Sequence, residues 1–600
     1  MTFKYNLGVV DYVVIITSLL ISTIIGIRLR SFGGKQQTTK EYLMAGKNMS
    51  MFPVIMSIAA TMISPMSMLG NPAETYRYGI QLCMMSFGIP FGMVLASYVI
   101  IPVYFQCGVS TSYEFLELRF GKSTRYLVSA MFILQMVLWM SSVLYSPVLA
   151  LNAVTNISME FAIVLFGAIC AFYCTIGGLK AVLWTDVLQA LLMIIAMMSL
   201  FVAGIKETGG VGNIIDRASE GERLTFNFQV NPIKRYTFWN GLLYGICYGF
   251  GAYGTSQIEI QRMLSLSNVK RAQATLLISM LPIVGIYLSL AVFGVVLYAI
   301  YYMCDPILNT METGLTKYDQ LVPYFLVSTF HSIPGMTGLC VAGIISGSLS
   351  TVSSALNSLA TVTVMDFIRP LSSTIRQSET KSIFIAKVLS FSYGLVCIGV
   401  TFTLLNASSI SQVGYLLNSS LEGPTTAVFA IGVLTRKGFG KSVLFGLLSG
   451  YAITCWIGYS SLLSGYHEAP LPLNNSMCPS SLNITYDFPV TSPTCLAVNN
   501  CSSAVTSYID SNRDIFTMNK VSYLWIRPLG FIITVCCIFI SIFVTGWKTD
   551  AIPLDSKCLS PVTRLWMKKT KECQKNIEEH NLLMSSLSVG NVVNKTDETA

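Results

Sequence analysis

The sequence predicts an all-α integral membrane protein of about thirteen transmembrane helices. Three observations carry that reading. Of the 600 residues, 53% are apolar and only 11% charged, with a mean hydropathy of +0.61, whereas a soluble chain has roughly a quarter of its residues charged. Long intervals contain no Asp, Glu, Lys or Arg, among them 126–159, 187–205, 272–304, 320–365 and 388–421, matching the roughly 20 apolar residues that cross a bilayer core. Two spans are interrupted by Pro or Gly, and each opens a run of five. The same composition excludes disorder, collagen-like repeats and a small disulfide scaffold.

The spans follow in order, bracketed by polar or Gly/Pro turn residues. The first, 9–27, belongs to a leading segment, 1–50, that ends in a loop. Segment 51–206 holds spans 52–70, 80–105, 126–159, 161–176 and 187–205, and a polar loop fills 207–237. Segment 238–440 holds spans 238–257, 272–304, 320–365, 388–421 and 423–435. Two trailing spans, 442–464 and 523–546, occupy 441–546, and 547–600 is a polar tail. The first span follows a short, weakly charged leader without a clear small-residue cleavage site, so it reads as a retained helix rather than a signal peptide.

An odd number of spans puts the termini on opposite sides, and basic residues decide which is which. With the N-terminus outside, the inner loops and tail collect 27 of the 38 Lys and Arg, leaving 11 elsewhere. The expected topology is an extracellular N-terminus and a cytoplasmic C-terminus in a multi-pass plasma-membrane protein. Segment 466–521 then lies outside, and it carries the sequons Asn474, Asn483 and Asn500, since glycosylation is a surface modification of exported segments. Its Cys478, Cys495 and Cys501, with Cys304, face the oxidising side and predict one or two bridges of undetermined pairing. The other twelve of the 16 cysteines read as small apolar packing residues.

The interrupted spans point to a binding site. Residues 51–79, MFPVIMSIAATMISPMSMLGNPAETYRYG, place Pro65 inside an apolar stretch; residues 238–257 place Gly245, Gly249, Gly251 and Gly254 in one span. Breaks at corresponding positions of two halves mark the midplane site of a secondary transporter, although Pro and Gly are also ordinary in membrane helices. In SGSLSTVSSALNSLATVTVMDF, residues 346–367, Ser346, Ser350 and Ser353 neighbour Thr351, Ser354 and Ser358 at helical spacing. Such hydroxyls can supply oxygen ligands to a hard cation, but on spacing alone they read first as small residues that pack helices.

Beside these segments stand NPAETYRYG (71–79), TSYEFLELRF (111–120), YCTIGGLKAVLWTDVLQ (173–189) and YGTSQIEIQR (253–262). Together, and in this order, they resemble the sodium/solute symporter family, in the branch of the monocarboxylate, multivitamin and iodide transporters, over residues 9 to about 465. The resemblance implies a LeuT-type fold, with 51–206 and 238–440 as two inverted five-helix repeats, and sodium as the co-transported ion. It implies a sodium site on the carbonyls of Ala60, Ile63 and Gly347 and the hydroxyls of Ser350 and Thr351. Asp186 falls on an acid that the family places along the intracellular sodium exit; its other reading is a helix N-terminal charge facing the cytoplasm. The substrate region implied is Ser64, Ser67 and Met68, Trp139, and Tyr253 with Gln257.

Departures bear on the substrate. Ser67 and Ile89 stand where the iodide transporter has Gln. Monocarboxylate carriers have Thr at the Ser67 position and multivitamin carriers Ala, so Ser67 leans to the former, while the 346–363 segment resembles the latter. Trp139 replaces a Tyr and puts one hydroxyl of a second sodium site in question. Glu422, in LNSSLEGPTT, stands where the family has Gly: a carboxylate in a span reads as a functional group, sensing protons or cations, or as a residue of an outer vestibule. No buried Lys or Arg stands out as a counter-charge for an anion.

Other chemistries find no support. Gly249, Gly251 and Gly254 satisfy a dinucleotide-binding spacing but sit within an apolar helix with no preceding strand. The GKST at 121–124 lacks the upstream Gly of a phosphate loop. His331, His467 and His580 are too scattered for a metal or catalytic cluster, and the basic tail at Lys568, Lys569, Lys571 and Lys575 reads as solvated or as touching anionic lipid. The expected function is sodium-coupled import of a small organic anion by alternating access, with the bilayer as the other partner and no nucleic acid. A multivitamin carrier, a channel or a non-transporting sensor are the alternatives, and an enzyme is not expected.

Overall fold

The computed structural model describes residues 7–32, 38–155, 157–403, 410–464, 466, 468–475, 478, 517–546 and 551–570. Among these the regular structure is helical, without strands. The principal helices are α1 (Val9–Phe32), α2 (Met51–Met62), α3 (Pro65–Tyr78), α4 (Met84–Leu95), α5 (Lys122–Val154), α6 (Met159–Thr208), α7 (Phe238–Gly254), α8 (Gln257–Leu264), α9 (Val269–Ile300), α10 (Met336–Val362), α11 (Glu379–Thr403), α12 (Ile410–Leu434), α13 (Gly440–Leu463) and α14 (Tyr523–Gly546).

Nine described helices are long and apolar enough to cross a membrane, ten with the bent pair α2–α3 taken as one span. Predicted spans 161–176, 238–257 and 423–435 coincide with helix but fall outside that count. Large apolar side chains point outward on the peripheral helices, such as Val9, Val13 and Leu20 on α1 and Phe543 and Val544 on α14. That is the inverse of a water-soluble surface and suits lipid contact. α10 lies at the centre, with nearly every residue from Val341 to Val362 buried.

Local chemistry explains the breaks. Pro65 has no N–H to donate, so the helix cannot run through it; α2 ends at Met62, α3 starts at Pro65, and the two are bent by 52°. The Ser64 hydroxyl caps α3 by accepting the Ser67 N–H at 3.2 Å, a common N-terminal device. α6 contains two predicted spans, separated at Gly178, whose φ of 62° departs from the helix. The predicted span 320–365 is likewise divided: a short helix, Leu321–Phe330, turns through Gly335 (φ 83°) into α10.

The glycine-rich span requires a correction. α7 runs unbroken past Gly245, Gly249 and Gly251 to Gly254, and the chain leaves the helix only at Thr255 and the extended Ser256, before α8. Gly245 and Gly249 serve a different purpose. A Cβ on either would collide with the Met85 or Ile89 carbonyl, and one on Gly88 or Gly92 with the Leu242 or Ile246 carbonyl. Two small-xxx-small pairs therefore bring α4 and α7 into backbone contact, the usual way to pack helices in lipid.

On the polar side, Cys304 and Cys478 form a disulfide, which resolves one of the possible pairings; Cys495 and Cys501 lie outside the described residues. Asn474 is exposed, and its carbonyl accepts the Asp305 N–H at 2.9 Å. Asn483, Asn500, His467, His580, Lys571 and Lys575 also lie outside the described residues. His331 is exposed at the end of the Leu321–Phe330 helix.

Candidate functional site: a broken helix against a hydroxyl helix

Ending α2 at Met62 leaves carbonyls without helical partners, and α10 lies directly against them. The Ser350 hydroxyl donates to the Ala60 carbonyl at 3.1 Å and reaches the Gly347 carbonyl at 3.2 Å. The Thr351 hydroxyl reaches the Gly347 carbonyl at 2.9 Å and the Thr61 carbonyl at 3.3 Å. A Cβ on Gly347 would lie 2.9 Å from the Ile63 oxygen, so glycine is what lets that carbonyl approach. Ala60, Ile63, Gly347, Ser350 and Thr351 thus stand together and buried. Neutral oxygens at this density suit a hard monovalent cation without the cost of a buried charge. The Thr61 carbonyl belongs to the same cluster and was not anticipated.

The remaining hydroxyls of α10 divide between other partners. Ser354 accepts from Arg262 at 2.6 Å, Ser358 donates to Gln261 at 3.0 Å, and Ser353 bonds its own helix at Ser350. One helix therefore carries a face set against the broken helix and a second face that docks onto α8.

Arg262 organises the region beneath the cluster. Fully buried, it donates to the Ser57 hydroxyl at 2.8 Å and to Glu259 at 2.6 Å, contacts the Thr61 hydroxyl, and lies 3.5 Å from Asp186. Ser57 in turn donates to Asp186 at 2.5 Å. Asp186 is within α6 and fully buried, so it is not a helix-end charge facing solvent. One guanidinium faces two carboxylates here, and Asp186 Oδ1 has no hydrogen-bond partner. Thr61 joins this group to the oxygen cluster, its carbonyl accepting from Thr351 and its hydroxyl from Arg262.

A cavity opens next to this junction. Ser64, Ser67, Thr351, Trp139, Gln135, Tyr248, Ala252, Tyr287, Asn418, Glu259 and Glu422 are among its lining residues. Met68, Tyr253 and Gln257 lie off it, contrary to the sequence-based expectation. Met68 is turned away from Ser67 into an apolar cluster with Tyr76 and Phe293. On α7 the cavity face is Tyr248 and Ala252, one turn apart, which directs Tyr253 into the protein interior. The Gln257 amide is used structurally, accepting the Ser112 N–H at 2.8 Å.

Glu422 lines the cavity and is paired with Arg527 of α14 at 2.7 Å, both buried. Arg262 and Arg527 are buried cations near the cavity, where no buried Lys or Arg stood out in the sequence as a counter-charge. Arg527 interrupts an otherwise charge-free predicted span, and Glu422 is a lone acid between two others, 388–421 and 423–435; two opposite charges set in apolar sequence were the available signal.

The sequence pattern of the sodium:solute symporter family matches residues 42–450. The chain belongs to the sodium:solute symporter family. Similar members include sodium-coupled monocarboxylate transporter 1 of Xenopus laevis, 37% identical over 473 residues, covering 79% of this chain and 75% of that one. The Homo sapiens transporter of the same name is 35% identical over 561 residues, 90% of this chain and 88% of that one. A putative sodium-dependent multivitamin transporter of Drosophila melanogaster is 35% identical over 549 residues, 90% and 86%. A Na+-coupled sialic acid symporter solved in a substrate-bound outward-open state superimposes with a TM-score of 0.70 at 19% identity, covering 91% of this chain and 99% of that one. This symporter family member therefore has the LeuT-type fold, is a multi-pass membrane transporter rather than an enzyme, and couples solute movement to sodium.

Proposed function

We propose that the chain imports a small organic anion, a monocarboxylate such as lactate or nicotinate, together with sodium, by alternating access. It works in the plasma membrane with thirteen spans, the N-terminus outside, the C-terminus in the cytoplasm, and Asn474, Asn483 and Asn500 as glycosylation sites. Segments 51–206 and 238–440 are the two inverted repeats. Sodium binds the Ala60, Ile63 and Gly347 carbonyls with the Ser350 and Thr351 hydroxyls and leaves past Asp186. The solute occupies the cavity at Ser64, Ser67 and Trp139.

The observation that carries this reading is the position of Thr351, whose side chain belongs both to the oxygen cluster and to the cavity lining. An ion there and a solute in the cavity share a wall, so each stabilises the arrangement the other needs, which is coupling in the thermodynamic sense. The substrate class is supported by the monocarboxylate transporters among the relatives. The Drosophila melanogaster relative supports a second reading, a biotin or pantothenate carrier. Both solutes are carboxylates.

Energetics favour more than one sodium ion per anion. One charge moved across about 60 mV is worth about 1.4 kcal/mol, and a tenfold sodium gradient contributes about 1.4 kcal/mol per ion. One ion supports roughly 100-fold accumulation of a neutral solute but, because the membrane potential expels a monoanion, only roughly tenfold accumulation of that anion. The test is uptake of labelled lactate, nicotinate, biotin and pantothenate by cells expressing the chain, in sodium and in choline. Saturable, sodium-requiring uptake of one of them is the expected result. Sodium-independent flux, or no uptake of any with verified surface expression, contradicts the reading.

A further inference from the structure

The cavity wall carries a charge pair that the sodium cluster does not use. Glu422 Oε2 lies 2.7 Å from Arg527 Nη2. The guanidinium is packed over the rings of Tyr244 and Tyr248, at 5.1 and 4.7 Å, and Tyr248 and Glu422 are themselves cavity residues. Arg527 is therefore one side chain behind the cavity surface. It is 1% exposed, and its Nε and Nη1 have no hydrogen-bond partner among the described residues. Leaving guanidinium donors unfilled away from water is costly, and their fork geometry matches a carboxylate. Arg262, the other buried cation near the cavity, is committed to Ser57, Glu259, Thr61 and Ser354.

We infer that Arg527 recognises the carboxylate of the transported anion, and that Glu422 occupies Arg527 in the absence of solute and yields it when solute binds. This deepens the proposed function and rests on it, because it requires the solute to be an anion. Glu422 is packed beside Gly251, where a Cβ would lie 3.0 Å from Glu422 Oε1, and one turn back on the same helix Asn418, another cavity residue, is bonded to Gln135. Charge stays balanced throughout. Before solute enters, the glutamate neutralises the arginine; afterwards the solute's carboxylate does so, and the displaced glutamate is neutralised by a sodium ion that enters with the anion. Each anion thereby draws in a second cation without the hydroxyl that Trp139 lacks, in line with the energetics that favour more than one sodium. α14 trails the two five-helix runs, so the discrimination between anion and neutral solute is supplied from outside them.

The experiment compares wild type, Glu422→Gln, Arg527→Gln and the double variant Glu422→Gln/Arg527→Gln. The readout is sodium-dependent uptake of whichever of lactate, nicotinate, biotin and pantothenate the wild type accumulates, with competition by that acid and by its neutral carboxamide, at matched surface expression. Glu422→Gln removes the internal competitor and is expected to lower the half-saturating anion concentration about tenfold and to reduce the steepness of the sodium dependence. The double variant is expected to raise the half-saturating concentration about tenfold or more, the scale of a lost charged hydrogen bond, and to bind acid and amide alike. It removes both charges together, so it remains informative where Arg527→Gln strands an unpaired glutamate and fails to fold. Wild-type affinity and wild-type preference for the acid in both Glu422→Gln and the double variant overturn this inference alone. Wild-type chains that accumulate none of the four acids overturn the substrate reading and this inference with it.

Discussion

The Thr351 hydroxyl lies 3.3 Å from the Thr61 carbonyl, and the hydroxyl of the same Thr61 meets the Arg262 guanidinium. Two residues thus join the cavity, the oxygen cluster and the buried Arg262 network in a continuous run of polar contacts.

The Asp186 carboxylate is held by Ser57 and Arg262 with one oxygen unfilled. Asp186→Asn is expected to slow net sodium-driven uptake about tenfold or more, the cost of losing a charged partner. Exchange of external for internal solute at high sodium on both sides is expected to persist, because it does not need sodium to leave. Equal loss of both modes would assign Asp186 to the fold instead of the exit path.

The α4–α7 contact leaves no room for side chains. Gly249→Leu is expected to destabilise the protein by about 1–3 kcal/mol, the usual cost of overpacking, and the same substitution at the unobstructed Gly285 to do far less. Thermal unfolding in detergent, monitored by the fraction remaining monodisperse, reads the difference.

Asp319, in the short helix Tyr318–Gln320 before Leu321, is half-buried, and loss of hydration, with the Glu74 carboxylate adding to it, raises its pKa to about 6. The folded state then binds a proton more tightly than the unfolded chain does. Stability contributed by this group is greatest at low pH and falls as pH rises between about 4 and 6, after which the cost is constant. Asp319→Asn is expected to raise the melting temperature at pH 7 to 8 and to leave it unchanged near pH 4. A gain of equal size at both ends of the range would rule out the titration as its cause.

The sequence made legible what depends on neighbours in the chain. Pro65 marked the α2–α3 break because a missing N–H acts locally, and the hydroxyls at 350 and 351 marked through helical spacing the face that meets it. What depends on distant packing was misread. The glycines at 245 and 249 appeared to break a helix, whereas their partners are Gly88 and Gly92, more than 150 positions earlier, and the true break follows at Thr255 and Ser256. A one-residue error in helical phase accounts for Tyr253 and Met68: adjacent positions differ by about 100° on a helix, which separates cavity from core. Arg262 and Arg527 were missed because each sits near the end of a span, where a basic residue reads as a loop charge. Only the assembled bundle brings Arg527 to Glu422.

The central claim is that sodium binds where the broken helix meets α10. The most direct test is the sodium concentration dependence of solute uptake by Ser350→Ala/Thr351→Ala, which removes two hydroxyl ligands and leaves the three carbonyls. The half-saturating sodium concentration is expected to rise about tenfold or more, with uptake recovering at high sodium. An unchanged sodium dependence at normal surface expression would contradict the site.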